Sequence, residues 1–114
     1  MTEKTNDLIS DLANNNKTLK EEAPDYFAIF KKFLYESEKE GALSVKVKEL
    51  ISVALGLSAK CSFCIAAHTK KAAEVGATRQ ELIEAGMVAG FMGGALVISH
   101  LKYLFDAIDQ LDIE

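Results

Sequence analysis

The feature that most constrains this chain is its division, by one proline and seven glycines, into segments whose apolar residues recur at helical spacing. No alternating run of β-branched residues competes with this pattern. Pro24 suits the first turn of a helix, where its missing N–H is not needed, and Gly41 and Gly76 lie where helices are expected to end. The sequence therefore predicts an all-α fold, a bundle of five to six helices.

Capping residues and apolar spacing set the expected helix bounds. The expected helices are a short first one carrying Leu8, Ile9 and Leu12 and ended by Asn14-Asn15-Asn16, a second from Pro24 to Gly41, a third from N-cap Ser44 to about Ser58, a fourth from about Cys61 to Gly76, a fifth that begins at the Thr78/Glu81 capping box, and a last one over roughly Ala95 to Leu111.

The apolar spacing also predicts which side of each helix is buried. The expected buried residues are Phe27, Phe30, Phe33 and Leu34 as core or subunit contact, Leu50, Ile51, Ala54 and Leu55 on the third helix, Leu82, Ile83 and Met87 on the fifth, and Leu96, Tyr103, Leu104, Ile108 and Leu111 on the last. Small residues at Gly90, Gly93, Gly94 and Ala95 are expected to permit close helix approach. Since a short chain has so many apolar faces, we expect a homo-oligomer that assembles through helix faces.

Length, composition and charge narrow the function. The 114 residues, 49% hydrophobic and 26% charged, indicate one globular unit, with a polar N-terminal segment over 1–23 and a helical domain over 24–114. A net charge of -4 without a basic stripe argues against nucleic-acid binding. The first residues, Met1 to Asp7, lack the apolar core of a signal peptide, and the uncharged run 85–99 is too short to span a bilayer, so we expect a cytoplasmic protein that does not enter a membrane.

In a reducing compartment, a Cys-x-x-Cys pair favours redox chemistry or metal binding over a permanent structural disulfide. Cys61 and Cys64 lie at the expected start of the fourth helix, where unpaired N–H groups stabilise a thiolate. Residues three apart on a helix are about 5–6 Å from one another, which is compatible with a disulfide. Phe63 and Ile65 are expected to pack around the thiols and exclude water.

His68 and Glu49 are the expected proton-handling residues. His68 follows Cys64 by one helical turn and is its natural base. If the turn centres near Lys60, Glu49 lies about 16 Å before it and His68 about 12 Å after it, so antiparallel helices bring the two nearly level. A carboxylate there orients the imidazole, as the third member of a catalytic triad does.

Simpler interpretations stay open at this point. The cysteines fit as two small buried residues, the histidine as a structural residue and the glutamate as a solvated one. A zinc site is another alternative, with the ligand set Cys61, Cys64, His68 and either His100 or Glu49. A zinc pair usually comes with a second pair elsewhere in the sequence, and none exists here. His100, near the glycine cluster, is interpreted as a packing or interface histidine.

The series Glu49, eleven residues, Cys61, two residues, Cys64, three residues, His68 resembles the alkylhydroperoxidase D and carboxymuconolactone decarboxylase family. The similarity covers roughly residues 24 to 110 and includes Val47-Lys48-Glu49-Leu50, Ala66-Ala67-His68-Thr69, Gly76-Ala77-Thr78 with Glu81, and the glycine-rich segment before the last helix. It implies an all-helical, short single-unit member that assembles as dimers and commonly hexamers.

The resemblance also implies roles: Cys64 as the peroxide-attacking thiolate, Cys61 as the resolving thiol, and His68 with Glu49 as the proton relay. It implies no cofactor and a dithiol reductant, either a lipoylated or a thioredoxin-like protein. This sequence departs from the best-known alkylhydroperoxidase D proteins at Phe63, where those have a histidine, so a shorter relay is expected.

The predicted function is a thiol-dependent hydroperoxide reductase or disulfide oxidoreductase. One alternative is a carboxymuconolactone decarboxylase-like lyase acting on a small molecule, with His68 and Glu49 as acid and base. The decarboxylases that the resemblance suggests lack the cysteine pair, and this chain has it, which argues against that activity. The other alternative is a zinc-binding or interaction module.

Overall fold

The computed structural model describes residues 4–114, and their regular structure is entirely helical. The six helices are α1 (Thr5–Glu22), α2 (Pro24–Glu38), α3 (Val45–Ser58), α4 (Ser62–Glu74), α5 (Arg79–Gly93) and α6 (Ala95–Gln110). The all-α prediction is confirmed. Residues 1–3 of the expected segment 1–23 lie outside the described residues, and the division at residue 23 stays a prediction.

The first helix is much longer than the sequence predicts. It is 18 residues long in total. It continues through the asparagine run and ends just before Pro24, where the next helix begins. Tertiary contacts outweigh the weak helix propensity of asparagine, because α1 packs against α2, α4 and α6. Leu8 is buried, and the backbone N–H of Thr5 donates to Oε1 of Gln110 at 2.6 Å. The predicted stop at Asn14–Asn16 is therefore wrong.

The other predicted helix ends lie within three residues of the observed ones, the largest difference being that α2 ends at Glu38 and not at Gly41. Ser44 caps α3, because its hydroxyl oxygen accepts from the backbone N–H of Val47 at 3.1 Å. Gly76 follows α4 with a φ of 95°, a left-handed conformation that glycine adopts without strain. Thr78 and Glu81 form the expected capping box at the start of α5.

The buried side of α3 differs from the predicted one. Ile51 and Leu55 were expected inside but are 44% and 63% exposed. The buried side instead carries Glu49, Val53 and Gly56, which recur at helical spacing and face α4 and α5. The reason is local packing: a glycine lets α3 approach α4 more closely than any face lined with larger side chains would.

Glycines likewise decide how α5 meets α6. A Cβ at Gly86 would come within 2.9 Å of Leu101 and Leu104 side chains, and one at Gly90 within 3.1 Å of Ile98, so these small residues face the last helix, as predicted for Gly90. Because this side of α5 faces inward, Met87 lies outside, 59% exposed. The expected burial of Met87 is wrong, and so is that of Leu96, which is 67% exposed.

The hydrophobic core lies among α3, α4, α5 and α6. Its fully buried side chains include Val53, Leu57, Ile65, Ala72, Leu82, Leu104 and Ile108. By contrast, α2 contributes no buried residue, and its Phe33 is 71% exposed. The predicted aromatic side of α2 is thus not core within one protomer.

Among residues 4–114, no helix is both long enough and apolar enough to cross a bilayer.

Glu81 provides a pH-dependent contribution to stability. Its Oε1 accepts from the backbone N–H of Thr78 at 2.9 Å and its Oε2 lies 2.9 Å from the Lys46 ammonium. The Thr78 N–H first, and then Lys46, hold the pKa of this carboxyl below its ordinary value. A lowered folded-state pKa means stability that is complete above the unfolded pKa of about 4.3 and is lost as the pH falls through the folded value.

We therefore expect Glu81→Gln, which keeps the length but not the charge, to unfold at lower urea concentration than the wild type at about pH 6. The difference between the urea concentrations at which the two proteins unfold should shrink as the pH falls below about 4. Urea titrations at several pH values measure it, with Glu84→Gln, one turn along α5, as the control. If this difference in unfolding concentration stayed constant with pH, the charge of Glu81 would not be the source of the stabilisation.

Candidate functional site

The site begins at the three-residue junction between α3 and α4, residues 59–61. The N–H of Lys60 donates to the carbonyl of Leu57 at 3.0 Å, and the N–H of Cys61 donates to that of Gly56 at 2.9 Å. These two bonds form a Schellman cap, in which Lys60 occupies the left-handed position at φ 55°. Cys61 therefore closes α3 and is at the same time the N-cap of α4. Its backbone is fixed from both sides.

The two cysteines form a disulfide. Their Cα atoms are 5.3 Å apart, as expected for residues one turn apart at a helix start. Sγ of Cys61 accepts from the backbone N–H of Cys64 at 3.2 Å, so a sulfur occupies the position of a capping oxygen. Both residues are half-buried. The pair is thus accessible and held in bonding geometry.

Gly56 sets the distance between α3 and the cysteine pair. A Cβ at this position would lie 3.1 Å from Cβ of Cys64 and 3.4 Å from the backbone nitrogen of Ile65. Any side chain at residue 56 therefore pushes against the first turn of α4. Sequence inspection missed this residue, because a glycine inside a helical pattern gives no sign of what it faces.

His68 and Glu49 meet as the helix geometry predicts. Nδ1 of His68 lies 3.0 Å from Oε2 of Glu49, which joins the middle of α3 to the middle of α4. An ionised carboxylate only accepts hydrogen bonds, so Nδ1 carries the proton and donates it, leaving Nε2 free to accept or release another. Glu49 is 1% exposed, and Oε1 of its carboxylate is buried without a hydrogen-bond partner among the described residues.

A second carboxylate, from α2, also faces His68. Oε1 of Glu38 lies 3.9 Å from Nδ1 of His68, and its Oε2 lies 3.7 Å from the Lys71 ammonium. Both contacts are longer than a hydrogen bond. Glu38 was not predicted, since it lies at the polar C-terminal end of α2 and nothing in its sequence neighbourhood indicates that α2 ends beside α4.

The remaining predicted residues lie elsewhere. His100 is on α6, where its Nδ1 is 2.9 Å from the carbonyl of Leu96 and its ring faces Tyr103. The zinc set of two cysteines, His68 and His100 is therefore not assembled: among the described residues, the group able to hold a cation is Glu38, Glu49 and His68. A disulfide also removes both thiolates as ligands.

Phe63 is less enclosed than predicted. Ile65 is fully buried, but Phe63 is 41% exposed. Its ring lines a cavity of about 350 Å³ together with Asp11, Leu12 and Asn15 of α1. The expectation that Phe63 shields the thiols from water is therefore wrong; instead, it forms one wall of an open cavity beside the helix that carries them.

With this geometry, the family can be assigned. The model of the carboxymuconolactone decarboxylase family matches residues 24–104, which include every residue of the site. The chain belongs to this family. The resemblance seen in the sequence is confirmed, and the matched range contains both cysteines, the histidine and both carboxylates.

Two proteins of known sequence are similar to this chain over most of their length. A Cupriavidus necator protein of uncharacterised function is 32% identical over 111 residues, which is 92% of this chain and 98% of that protein. A Paracoccus denitrificans protein, described as uncharacterised protein 4 in the cox locus, is 34% identical over 73 residues, 64% of this chain and 66% of that protein. Neither description gives an activity.

Solved structures share the fold. A carboxymuconolactone decarboxylase family protein from Legionella pneumophila superimposes with a TM-score of 0.90 at 28% identity, covering 93% of this chain and 95% of that one. A Thermotoga maritima family member, whose description raises a role in the antioxidative response, gives 0.82 at 24% identity over 93% and 90% of the two chains. At that lower identity the likeness establishes the fold alone.

The contact at Gly56 is testable by stability. We expect Gly56→Ala to lower the free energy of unfolding, because overpacking against Cys64 costs about 1–3 kcal/mol. Alanine's better helix propensity offsets at most about 1 kcal/mol of this. Gly41→Ala is the matched control, since no atom lies within 4 Å of its added Cβ. Equal stability of the two variants in urea titrations would show that the helices separate freely at this contact.

Proposed function

We propose that this protein is a thiol-dependent hydroperoxide reductase in which Cys61 and Cys64 cycle between dithiol and disulfide. The observation that carries the proposal is the cysteine pair at the α3–α4 junction, within bonding distance and half-buried, on the same helix as a histidine whose Nδ1 is held by a buried carboxylate. A structural disulfide needs no such neighbour. A cytoplasmic location, where dithiol reductants are available, belongs to the proposal.

The first step is attack of the Cys64 thiolate on the O–O bond of a hydroperoxide. The bond breaks, one oxygen stays on sulfur as a sulfenic acid, and the other leaves as an alkoxide that takes a proton to become an alcohol. The Cys61 thiol then attacks the sulfenic sulfur, water leaves, and the disulfide forms. One hydroperoxide is reduced by two electrons, and the two sulfurs are oxidised by two.

His68 moves the proton in this step. It accepts the proton of the Cys64 thiol on Nε2 and returns it to the leaving alkoxide. Glu49 does not touch the reacting atoms; it is a positioning residue that fixes the ring through Nδ1 and stabilises the imidazolium that forms. Because position 63 is a phenylalanine, His68 handles the proton without a second imidazole between the cysteines.

The cycle closes when a dithiol reduces the disulfide. The reductant gives up two thiol protons and two electrons and becomes a disulfide itself. A lipoylated or thioredoxin-like protein has the required chemistry. Both cysteines are half-buried, so the sulfurs are within reach of a small hydroperoxide and of the reductant.

We also infer that the active form is a homo-oligomer, from dimer to hexamer. Support comes from the large apolar side chains left outside the single chain on α2, α5 and α6, which include Ile29, Phe33, Phe91, Met92 and Leu96, each at least 67% exposed. Exposed apolar surface on this scale is typical of a surface that another subunit covers.

The two cysteines should differ in their variants. We expect Cys64→Ser to abolish hydroperoxide turnover with a dithiol donor, because no thiolate remains to attack the O–O bond. Cys61→Ser should lose turnover but accumulate one sulfenic acid at Cys64 per chain, since no thiol resolves it. Mass spectrometry with a sulfenic-acid trap locates the adduct; in the wild type, one equivalent of hydroperoxide should remove two hydrogens from the reduced Cys61–Cys64 peptide.

If Cys64→Ser reduced hydroperoxide as fast as the wild type does, the thiol mechanism would be wrong. Alkylating both thiols separates it from the lyase alternative: a lactone decarboxylase that relies on His68 and Glu49 stays active after alkylation, whereas the peroxidase does not. A sulfenic acid found on residue 61 in Cys64→Ser would reverse the two assigned roles.

A second prediction concerns the proton relay formed by His68 and Glu49. General acid–base catalysis contributes about 10²–10⁴-fold, so His68→Gln and Glu49→Gln should each slow disulfide formation by hydroperoxide by up to that factor. The double variant should be no slower than His68→Gln, because Glu49 acts only through the ring. Stopped-flow rates over a range of pH measure this, with unfolding titrations to verify that each variant is folded.

Glu74→Gln, on the exposed end of α4, is the matched control and should keep the wild-type rate. Effects of the two substitutions that multiply in the double variant would mean that Glu49 acts independently of His68. An unchanged pH profile in Glu49→Gln would mean that its role is structural.

A further inference from the structure

Three potential metal ligands lie close together around the imidazole of His68. One ligand atom each from Glu38, Glu49 and His68 lie within 4.8 Å of one another. Three different helices supply them, α2, α3 and α4, so the group exists only in the folded chain. We propose that these residues form a binding site for a divalent transition-metal cation, with Zn²⁺ as its representative.

The distances suit a single ion. Zinc lies about 2.0–2.2 Å from nitrogen and carboxylate oxygen ligands, which places neighbouring ligand atoms about 3–3.6 Å apart. Nδ1 of His68 is 3.0 Å from Glu49, at the short end of this range, and 3.9 Å from Glu38, slightly beyond it. Coordination of one ion therefore requires the Glu38 carboxylate to move closer to His68. That side chain is 23% exposed, so it has room to move.

The buried oxygen of Glu49 points independently to a ligand. Oε1 shares its carboxylate carbon with the oxygen that bonds His68, yet it has no hydrogen-bond partner among residues 4–114. Buried carboxylate oxygens are almost always paired, because an unpaired one loses its hydration without replacement. A cation bound by both oxygens of Glu49 satisfies this atom.

The charges of the side chains around His68 also favour a bound cation. Glu38 and Glu49 bring two carboxylates to one imidazole, and the nearest ammonium, that of Lys71, is 3.7 Å from Glu38 and half exposed. A divalent cation neutralises both carboxylates at once. The mixed nitrogen and oxygen set favours Zn²⁺, Mn²⁺ or Fe²⁺ over Mg²⁺ and Ca²⁺, which prefer oxygen ligands alone.

Binding there would compete with the relay, and this consequence rests on the proposed function. The cation takes the place of the Nδ1 proton, so the remaining ring proton is on Nε2, which then has no lone pair to accept the proton of Cys64. Zinc should therefore slow hydroperoxide turnover. Binding itself requires nothing of the thiol cycle and can be measured without it.

The test uses the full-length protein in its disulfide form, in which the cysteines are not ligands. Calorimetric titration with ZnCl2 should show one site per chain in the wild type, and Glu38→Gln should weaken it about tenfold or more. Glu36→Gln, two residues earlier on α2 and exposed, removes the same charge and should bind as the wild type does. The side-chain NMR signals of His68 should shift on binding, and those of His100 should not.

Absence of a stoichiometric site, equal affinity of Glu38→Gln and Glu36→Gln, or a shift of His100 instead of His68 would each overturn the proposal. For the consequence, hydroperoxide turnover of each variant is compared with and without zinc. Inhibition of the wild type that is relieved in Glu38→Gln supports it. If zinc binds at His68 and turnover is unaffected, the relay is wrong while the site stands.

Discussion

The close contact between α3 and α4 at Gly56 is the constraint on which the rest of the structure depends. Because residue 56 has no side chain, the first turn of α4 lies against the last turns of α3, with Cβ of Cys64 at 3.1 Å from where a Cβ would be. The same contact goes with a junction of only three residues, in which Cys61 ends one helix and caps the next. It also places Glu49 level with His68, since the two are nearly equidistant from the junction. The disulfide geometry and the hydrogen bond between His68 and Glu49 are thus two results of one helix packing.

Burying Glu49 is unfavourable in itself, which makes its position informative. A carboxylate that is 1% exposed loses its hydration, and only one of its oxygens recovers a hydrogen bond. The side of α3 that carries Ile51 and Leu55 is more apolar than the side that carries Glu49, yet it is exposed. A chain selected for the stability of a single protomer would bury those residues instead. Groups that a fold keeps at a cost, with a titratable neighbour, mark functional sites more often than structural ones.

The sequence was sufficient for features set by local chemistry. The caps at Ser44 and Thr78 follow from side chains that bond the nearest backbone N–H groups, and the meeting of Glu49 with His68 follows from the rise per residue of two antiparallel helices. Features set by tertiary packing were not predictable. The length of α1 depends on α4 and α6, and the approach of Glu38 depends on where α2 ends relative to α4, and neither relation has a local signature.

In the proposed cycle, the capped sulfur also explains the order of the two cysteines. Thiol–disulfide exchange is faster when the sulfur that leaves is the better stabilised thiolate. Sγ of Cys61 already accepts the N–H of Cys64 at the start of α4, where the helix dipole favours negative charge. A dithiol that attacks Cys64 therefore expels a thiolate into a prepared site, whereas attack at Cys61 expels a sulfur without that bond. In that cycle Cys64 is the sulfur that the reductant attacks, and Cys61 is the sulfur that leaves as a thiolate.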